Sequence, residues 1–149
     1  MEKLWEDFAP FADKQFLDEI ETNLKTRFWE MYLGCSFLYN NFKLELPNIK
    51  GGPDLIINYK NTNLWVEAVT PQKGDGEDKL EKPPNMVVVN VPQDKMILRI
   101  QNSIDEKKRN YLGWIDKNVV RENEPFILAI NGSELIFGRT EREMPLILR

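Results

Sequence analysis

Between Asp13 and Asn40, apolar residues recur at Leu17, Ile20, Leu24, Phe28, Met31, Tyr32, Cys35 and Leu38. They form a single stripe at helical spacing, and the pattern predicts one long helix stopped by Asn40-Asn41. Phe42-Lys43-Leu44-Glu45-Leu46 alternates apolar and polar and reads as a first strand. Leu55 to Tyr59 is apolar and β-prone, Lys60-Asn61-Thr62-Asn63 is a turn signal, and Leu64 to Thr70 alternates again. Folded about Asn61-Thr62, these two segments make a hairpin whose paired residue numbers sum to about 123. A second helix is expected from Gln93 to Lys117, with Ile97, Ile100, Ile104 and Tyr111 on its apolar side. On its polar side Arg99, Ser103 and Lys107 form one stripe, because a four-residue step drifts only about 40° around a helix.

Pro125 to Ile130 reads as a buried strand, and Glu134 to Gly138 as a further one. Met1 to Ala12 is a lead-in whose Trp5, Phe8 and Phe11 are expected to pack on the domain. Met86 to Val91 is a short apolar approach to the second helix. Pro71 to Pro84 has the composition of a loop that cannot make a core; it is either a segment gating a neighbouring site or a disordered insertion. The expected fold is α/β, a mixed sheet of about four strands flanked by helices, in the order α-β-β-β-α-β. An α+β domain whose acids are structural is the alternative.

The chain's 149 residues form one domain by length. No apolar run approaches transmembrane length, so no membrane partner is expected. The amino terminus lacks the basic-then-apolar pattern of a signal peptide. The apolar end Leu146-Ile147-Leu148-Arg149 suggests a fragment of a longer protein, or an end tied into the sheet or a partner. A single cysteine, Cys35, excludes a disulfide scaffold and a cysteine-based zinc site, and a reducing cytoplasmic compartment is the default expectation. With no histidine in the chain, histidine-dependent triads and histidine-ligated zinc are excluded. Carboxylates remain as the acid/base and metal-binding groups.

Three of them draw notice. Asp54 stands at the mouth of the Leu55–Tyr59 strand and Glu67 lies inside the next one. The expected register puts Asp54 across from Val69, with Glu67 one diagonal step away on the same face. Converging carboxylates repel each other unless a proton or a cation intervenes, and a hard divalent ion such as Mg²⁺ suits them. Glu30 is the only charge in Phe28–Tyr39, a stretch apolar or small nearly all round. A carboxylate there is costly to desolvate. It either pairs with an arginine or lysine or sits at the periphery, or it faces the same cation as Asp54 and Glu67.

An acid in an apolar first helix, then Pro53-Asp54, then Glu67 in the following strand, resembles the signature of the PD-(D/E)XK nuclease superfamily. The likeness spans about Phe28 to Asn131 and is nearest to a bacterial branch of poorly defined function carrying a Trp-Glu helix and a Val-Glu-Ala-Val strand. It implies a restriction-endonuclease-like core, and Mg²⁺ or Mn²⁺ held by Asp54, Glu67 and Glu30, with the Ala68 carbonyl as a further ligand. The superfamily's lysine, two residues after the motif glutamate, is Val69 here. The resemblance implies that the lysine migrates to the second helix, which makes Lys107 the first candidate and Arg99 the second. Lys73, just past the strand, is a third. The alternative for the helix stripe is a solvated edge.

A net charge of −4 and a pI near 5.0 give no global basic footprint for nucleic acid. Local basic density exists at Lys107-Lys108-Arg109, Arg99, Arg139 and Arg142. The functional expectation is a metal-dependent endo- or exonuclease hydrolysing phosphodiester bonds of nucleic acid, DNA before RNA, with a protein partner or homo-oligomer allowed. The alternatives are a catalytically silent nuclease-like fold that binds protein or nucleic acid, supported by Val69 and the acidic pI, and a purely structural domain of a larger protein.

Overall fold

The computed structural model describes residues 1–46, 51–86, 88–136 and 138. Its elements run α1 (Glu2–Phe8), a 3-10 turn (Ala9–Phe11), α2 (Phe16–Ile20), α3 (Leu24–Tyr39), β1 (Lys43–Glu45), β2 (Leu55–Tyr59), β3 (Thr62–Val69), α4 (Gln93–Asp116), β4 (Phe126–Ile130) and a closing 3-10 turn (Gly132–Glu134). The four strands form one sheet in the order β1-β2-β3-β4. β1, β2 and β3 pair antiparallel, and β4 joins β3 in parallel after the α4 crossover. The chain is therefore α/β with a mixed four-stranded sheet flanked by helices. From α3 onward the elements follow the expected α-β-β-β-α-β order, and α1 and α2 are additional to it.

The single helix expected from Asp13 to Asn40 is two. Thr22 Oγ1 donates to the Glu19 carbonyl, and Asn23 leaves helical geometry before α3 starts. Such side-chain bonds to the backbone compete with helix continuation. The break resets the helical phase. Phe16 takes the fully buried place in α2, while Leu17 of the expected stripe is 57% exposed and Leu24 and Tyr32 are also exposed. At the other end α3 closes as the sequence suggests. Asn41 adopts a left-handed conformation (φ 62°), the Phe42 N–H reaches the Phe37 carbonyl, and the Asn41 N–H reaches Leu38. Those two bonds are a Schellman motif, and the edge-on contact of Phe37 with Phe42 is its hydrophobic clasp.

The hairpin turns one residue earlier than expected, on Lys60 and Asn61, both left-handed at φ 50° and 63°. A two-residue turn with both φ positive matches the twist of its strands. The register moves accordingly: Leu55 faces Val66 and Tyr59 faces Thr62, so Asp54 stands opposite Glu67 rather than Val69. A partner shift of two residues leaves each side chain on its expected face.

α1, α2 and α3 cover one face of the sheet through a core of Phe8, Phe16, Met31, Cys35, Leu44, Leu55, Ile57 and Val66. The aromatic lead-in does pack on the domain: Phe8 is fully buried and Trp5 stacks on Phe16. On the other face Ile56, Trp65 and Val120 are buried beneath Tyr111 and Trp114 of α4 and Phe126 of β4.

Two strand expectations change. Among the described residues β4 is an edge strand rather than a buried one, with Ile127 exposed. Glu134 to Ile136 is 3-10 helix and turn, not strand; Phe137 lies outside the described residues. The Pro71–Pro84 loop contributes to a core after all, because Leu80 is buried with Met96 and Leu135. Of the Met86–Val91 stretch, Val87 lies outside the described residues, while Met86 and Val88 are exposed. Among the described residues no helix is long and apolar enough to cross a membrane.

Candidate functional site

β3 outruns β2. Its pairing with β2 ends at Val66, while its pairing with β4 continues to Val69. Beyond Asp54 no described strand pairs with the β2 side of Glu67, Ala68 and Val69, and this notch opens into a cleft of about 530 Å³. α3 lends the cleft Thr26, Arg27 and Glu30; the sheet lends Asp54, Ala68, Val69 and Thr70; α4 lends Arg99, Ser103 and Lys107. The polar stripe read from the spacing of α4 therefore faces a cavity, not open solvent.

Asp54 and Glu67 are locked together through the main chain. The Ala68 N–H donates to Asp54 Oδ2 at 2.8 Å, and the Asp54 N–H donates to Glu67 Oε2 at 3.3 Å. Lys107 Nζ donates to the remaining oxygen, Glu67 Oε1, at 2.7 Å. Glu67 is 4% exposed and Asp54 is half-buried at the cleft wall. Burial, and then the charge of Glu67, push the Asp54 carboxyl up to about 7 against the Ala68 N–H and Lys107. Burial works to lower the Lys107 pKa, but Glu67 outweighs it and the ammonium is held above its usual range. Lys107 is thus charged across ordinary pH.

Glu30 reaches the cleft from the opposite helical layer and is 4% exposed. It does have the ion-pair partner its position demanded: Arg27 Nη1 donates to Glu30 Oε2 at 2.7 Å, one helical turn away. Arg27 is itself held by Glu19 at 2.5 Å and lies over the Phe16 ring. The pair does not neutralise Glu30. Burial, and then the charge of Asp54, push it up to about 8 despite Arg27. The ion pair and the shared cleft, posed by the sequence as alternatives, coexist.

Arg99 lines the same cleft without touching the acids. Its Nε donates to the Gln72 carbonyl at 3.0 Å and its Nη1 to Asp78 Oδ2 at 2.8 Å. Gly74 lies directly against the guanidinium: a Cβ there would come within 2.7 Å of Arg99, and its φ of +78° is itself a glycine conformation. Lys73 is exposed and does not line the cleft. Arg139 and Arg142 lie outside the described residues. Arg27 and Thr70 belong to the site and were not singled out from the sequence. The signal for Arg27 was its i,i+3 spacing to Glu30, whereas nothing local marks Thr70.

Among the described residues no group of three or more acidic, histidine or cysteine side chains is drawn together closely enough to hold a metal ion. The donors present still suit a hard cation. They are all oxygen, and the described hydrogen bonds to Asp54 and Glu30 each engage only one carboxylate oxygen. Burial and the neighbouring acid hold both carboxyls above their ordinary values, and a divalent ion would supply charge that offsets this. No known protein family matches the chain, and neither does any curated protein or solved structure.

Proposed function

We propose that this protein is a metal-dependent hydrolase of phosphodiester bonds in nucleic acid, DNA before RNA, built on a restriction-endonuclease-like core. The observation that carries the reading is the meeting of Glu30, Asp54 and Lys107 in one cleft, with Lys107 Nζ 2.7 Å from buried Glu67. The α-β-β-β-α-β order from α3 to β4 supports the same reading.

In this reading Asp54, Glu67 and the Ala68 carbonyl hold Mg²⁺ or Mn²⁺, and Glu30 closes the site from α3. The ion, when bound, lowers the pKa of a water and offsets charge on the phosphate. Lys107 takes the part of the lysine that Val69 replaces: it carries a fixed positive charge at Glu67 and stabilises negative charge developing beside it. Arg27 holds the Glu30 carboxyl in position. Arg99 is bound to Asp78 and Gln72 and contributes positive potential from the far end of the α4 stripe.

Calorimetric titration with Mn²⁺ near pH 8, followed by incubation with labelled single- and double-stranded DNA and RNA, tests this. The parent protein should bind the ion and cleave at least one nucleic acid, with Asp54→Asn weakening both by tenfold or more. Lys107→Ala should lower cleavage by about 10²- to 10³-fold, the usual loss for one electrostatic stabiliser. Full activity in Lys107→Ala would remove its role.

A second reading, a silent nuclease-like fold that binds nucleic acid or protein, is favoured by one specific observation. Lys107 already neutralises Glu67, and no three-acid group is assembled among the described residues. Binding of nucleic acid without any divalent ion, and without cleavage, would select it.

A further inference from the structure

Among the described residues, Thr70 is the one member of the cleft with a fully buried side-chain polar atom that has no partner. The residue is 8% exposed, and its Oγ1 makes no hydrogen bond to any described residue. Leaving a buried hydroxyl unpaired is a standing cost that removal of the hydroxyl would relieve. The residue just past the end of β3 could have been valine at no loss to the sheet. Its wall of the cleft is polar and partly positive. Gln72 Nε2 donates to the Thr70 carbonyl at 3.3 Å, and the Gln72 carbonyl in turn accepts from Arg99 Nε at 3.0 Å. Gln72 thus links the two, and Arg99 and Thr70 line the same cleft, with Ser103 one turn further along α4.

Arg99 carries five N–H donors in a fixed fork. Its described bonds use Nε and Nη1, so Nη2 is not committed to either Gln72 or Asp78. An arginine fork and an unpaired hydroxyl lining one cleft are a donor set suited to a phosphate. Arg99 and Lys107 are eight residues apart on α4, about 12 Å along the helix axis. That leaves room for a phosphate at Arg99 distinct from one at the acids. Oγ1 is shielded from solvent in this conformation, so the subsite requires rotation of Thr70 about χ1 to present it to a ligand.

We propose that Thr70 and Arg99 form a second phosphate subsite that holds a backbone phosphate neighbouring the one at Asp54 and Glu67, and so position the nucleic-acid strand along α4. The subsite rests on the hydrolase reading above. Thr70 is a positioning residue and takes no part in bond cleavage.

The test is binding of a short fluorescein-labelled single-stranded DNA to the whole protein, read by anisotropy in Ca²⁺. It uses the parent, Thr70→Val and Thr70→Ser, with melting temperature measured in parallel. Thr70→Val should weaken binding by about 10- to 150-fold, the range for one lost hydrogen bond to a charged group. Its melting temperature should be no lower than the parent's, and Thr70→Ser should restore affinity. A probe carrying a single methylphosphonate should lose affinity at one position with the parent and lose no more at that position with Thr70→Val. Equal affinity of parent and Thr70→Val overturns the subsite alone. So does a Thr70→Val variant that loses stability instead of affinity, since Oγ1 would then serve the fold. A parent that binds neither this DNA nor a double-stranded DNA or RNA probe overturns the hydrolase reading, and the subsite with it.

Discussion

Glu30 and Asp54 carry the residue-scale consequence of burying acids together. Their carboxyls sit at about 8 and about 7, against ordinary values of 4.5 and 3.8. Where both values are exceeded downward, folded and unfolded chains are equally protonated. As pH rises above the ordinary values, the unfolded chain gives up protons that the folded one keeps, so stability falls until pH passes the folded values. This is the reverse of an acid stabilised by a salt bridge. Urea denaturation at about pH 5 and about pH 8 should therefore find the protein less stable at the higher pH. In Glu30→Gln that difference should shrink by about 1–3 kcal/mol, since one pKa unit corresponds to about 1.4 kcal/mol. An unchanged difference would mean that Glu30 is ionised across the range.

At the scale of elements, α1 is fastened to α3 by a close approach. A Cβ on Gly34 would lie 2.5 Å from the Phe8 ring, which is itself fully buried and has no room to retreat. Gly34→Ala should cost about 1–3 kcal/mol despite alanine's better helix propensity, because overpacking at a fixed core ring outweighs it. Stability equal to the parent's in a denaturant titration would show that α1 swings aside freely.

The β2–β3 turn offers the opposite change. Lys60 holds φ at 50° without the freedom of glycine or the tolerance of asparagine. Lys60→Asn with Asn61→Gly installs the preferred pair and should stabilise by about 1 kcal/mol. A loss of stability would place the turn elsewhere.

For the molecule as a whole, the cleft joins layers that share no core. α3 lies on one face of the sheet, α4 on the other, and they meet at the strand ends where β3 extends past β2. A ligand bound there stabilises the folded chain by RT ln(1 + [L]/Kd), about 2.7 kcal/mol at a hundredfold excess over Kd. Mn²⁺ should raise the melting temperature more at about pH 8 than at about pH 5, because ion and proton compete for Asp54 and Glu30. Asp54→Asn should abolish the shift. An equal rise at both pH values would point to surface binding rather than to the cleft.

Local signals in the chain were enough for the strands β2 and β3, the span of α4, the Asn40-Asn41 stop and the isolation of Glu30 in an apolar turn. Each depends on a few neighbours and on the 3.6- or two-residue period of the backbone. They also put Arg99, Ser103 and Lys107 on one helix face, which is a property of that helix alone. The helix break at Thr22-Asn23 was missed and the turn at Lys60-Asn61 was placed one residue late, since side-chain bonds to the backbone and left-handed dihedrals leave weak marks in sequence. What faces that α4 stripe, the pairing of Lys107 with Glu67, the passage of Glu30 around the sheet end and the unpaired hydroxyl of Thr70 were decided by tertiary structure alone. They join residues 40 or more positions apart, or depend on which strand ends first, and no local period records where a sheet stops and two helices from opposite faces come together.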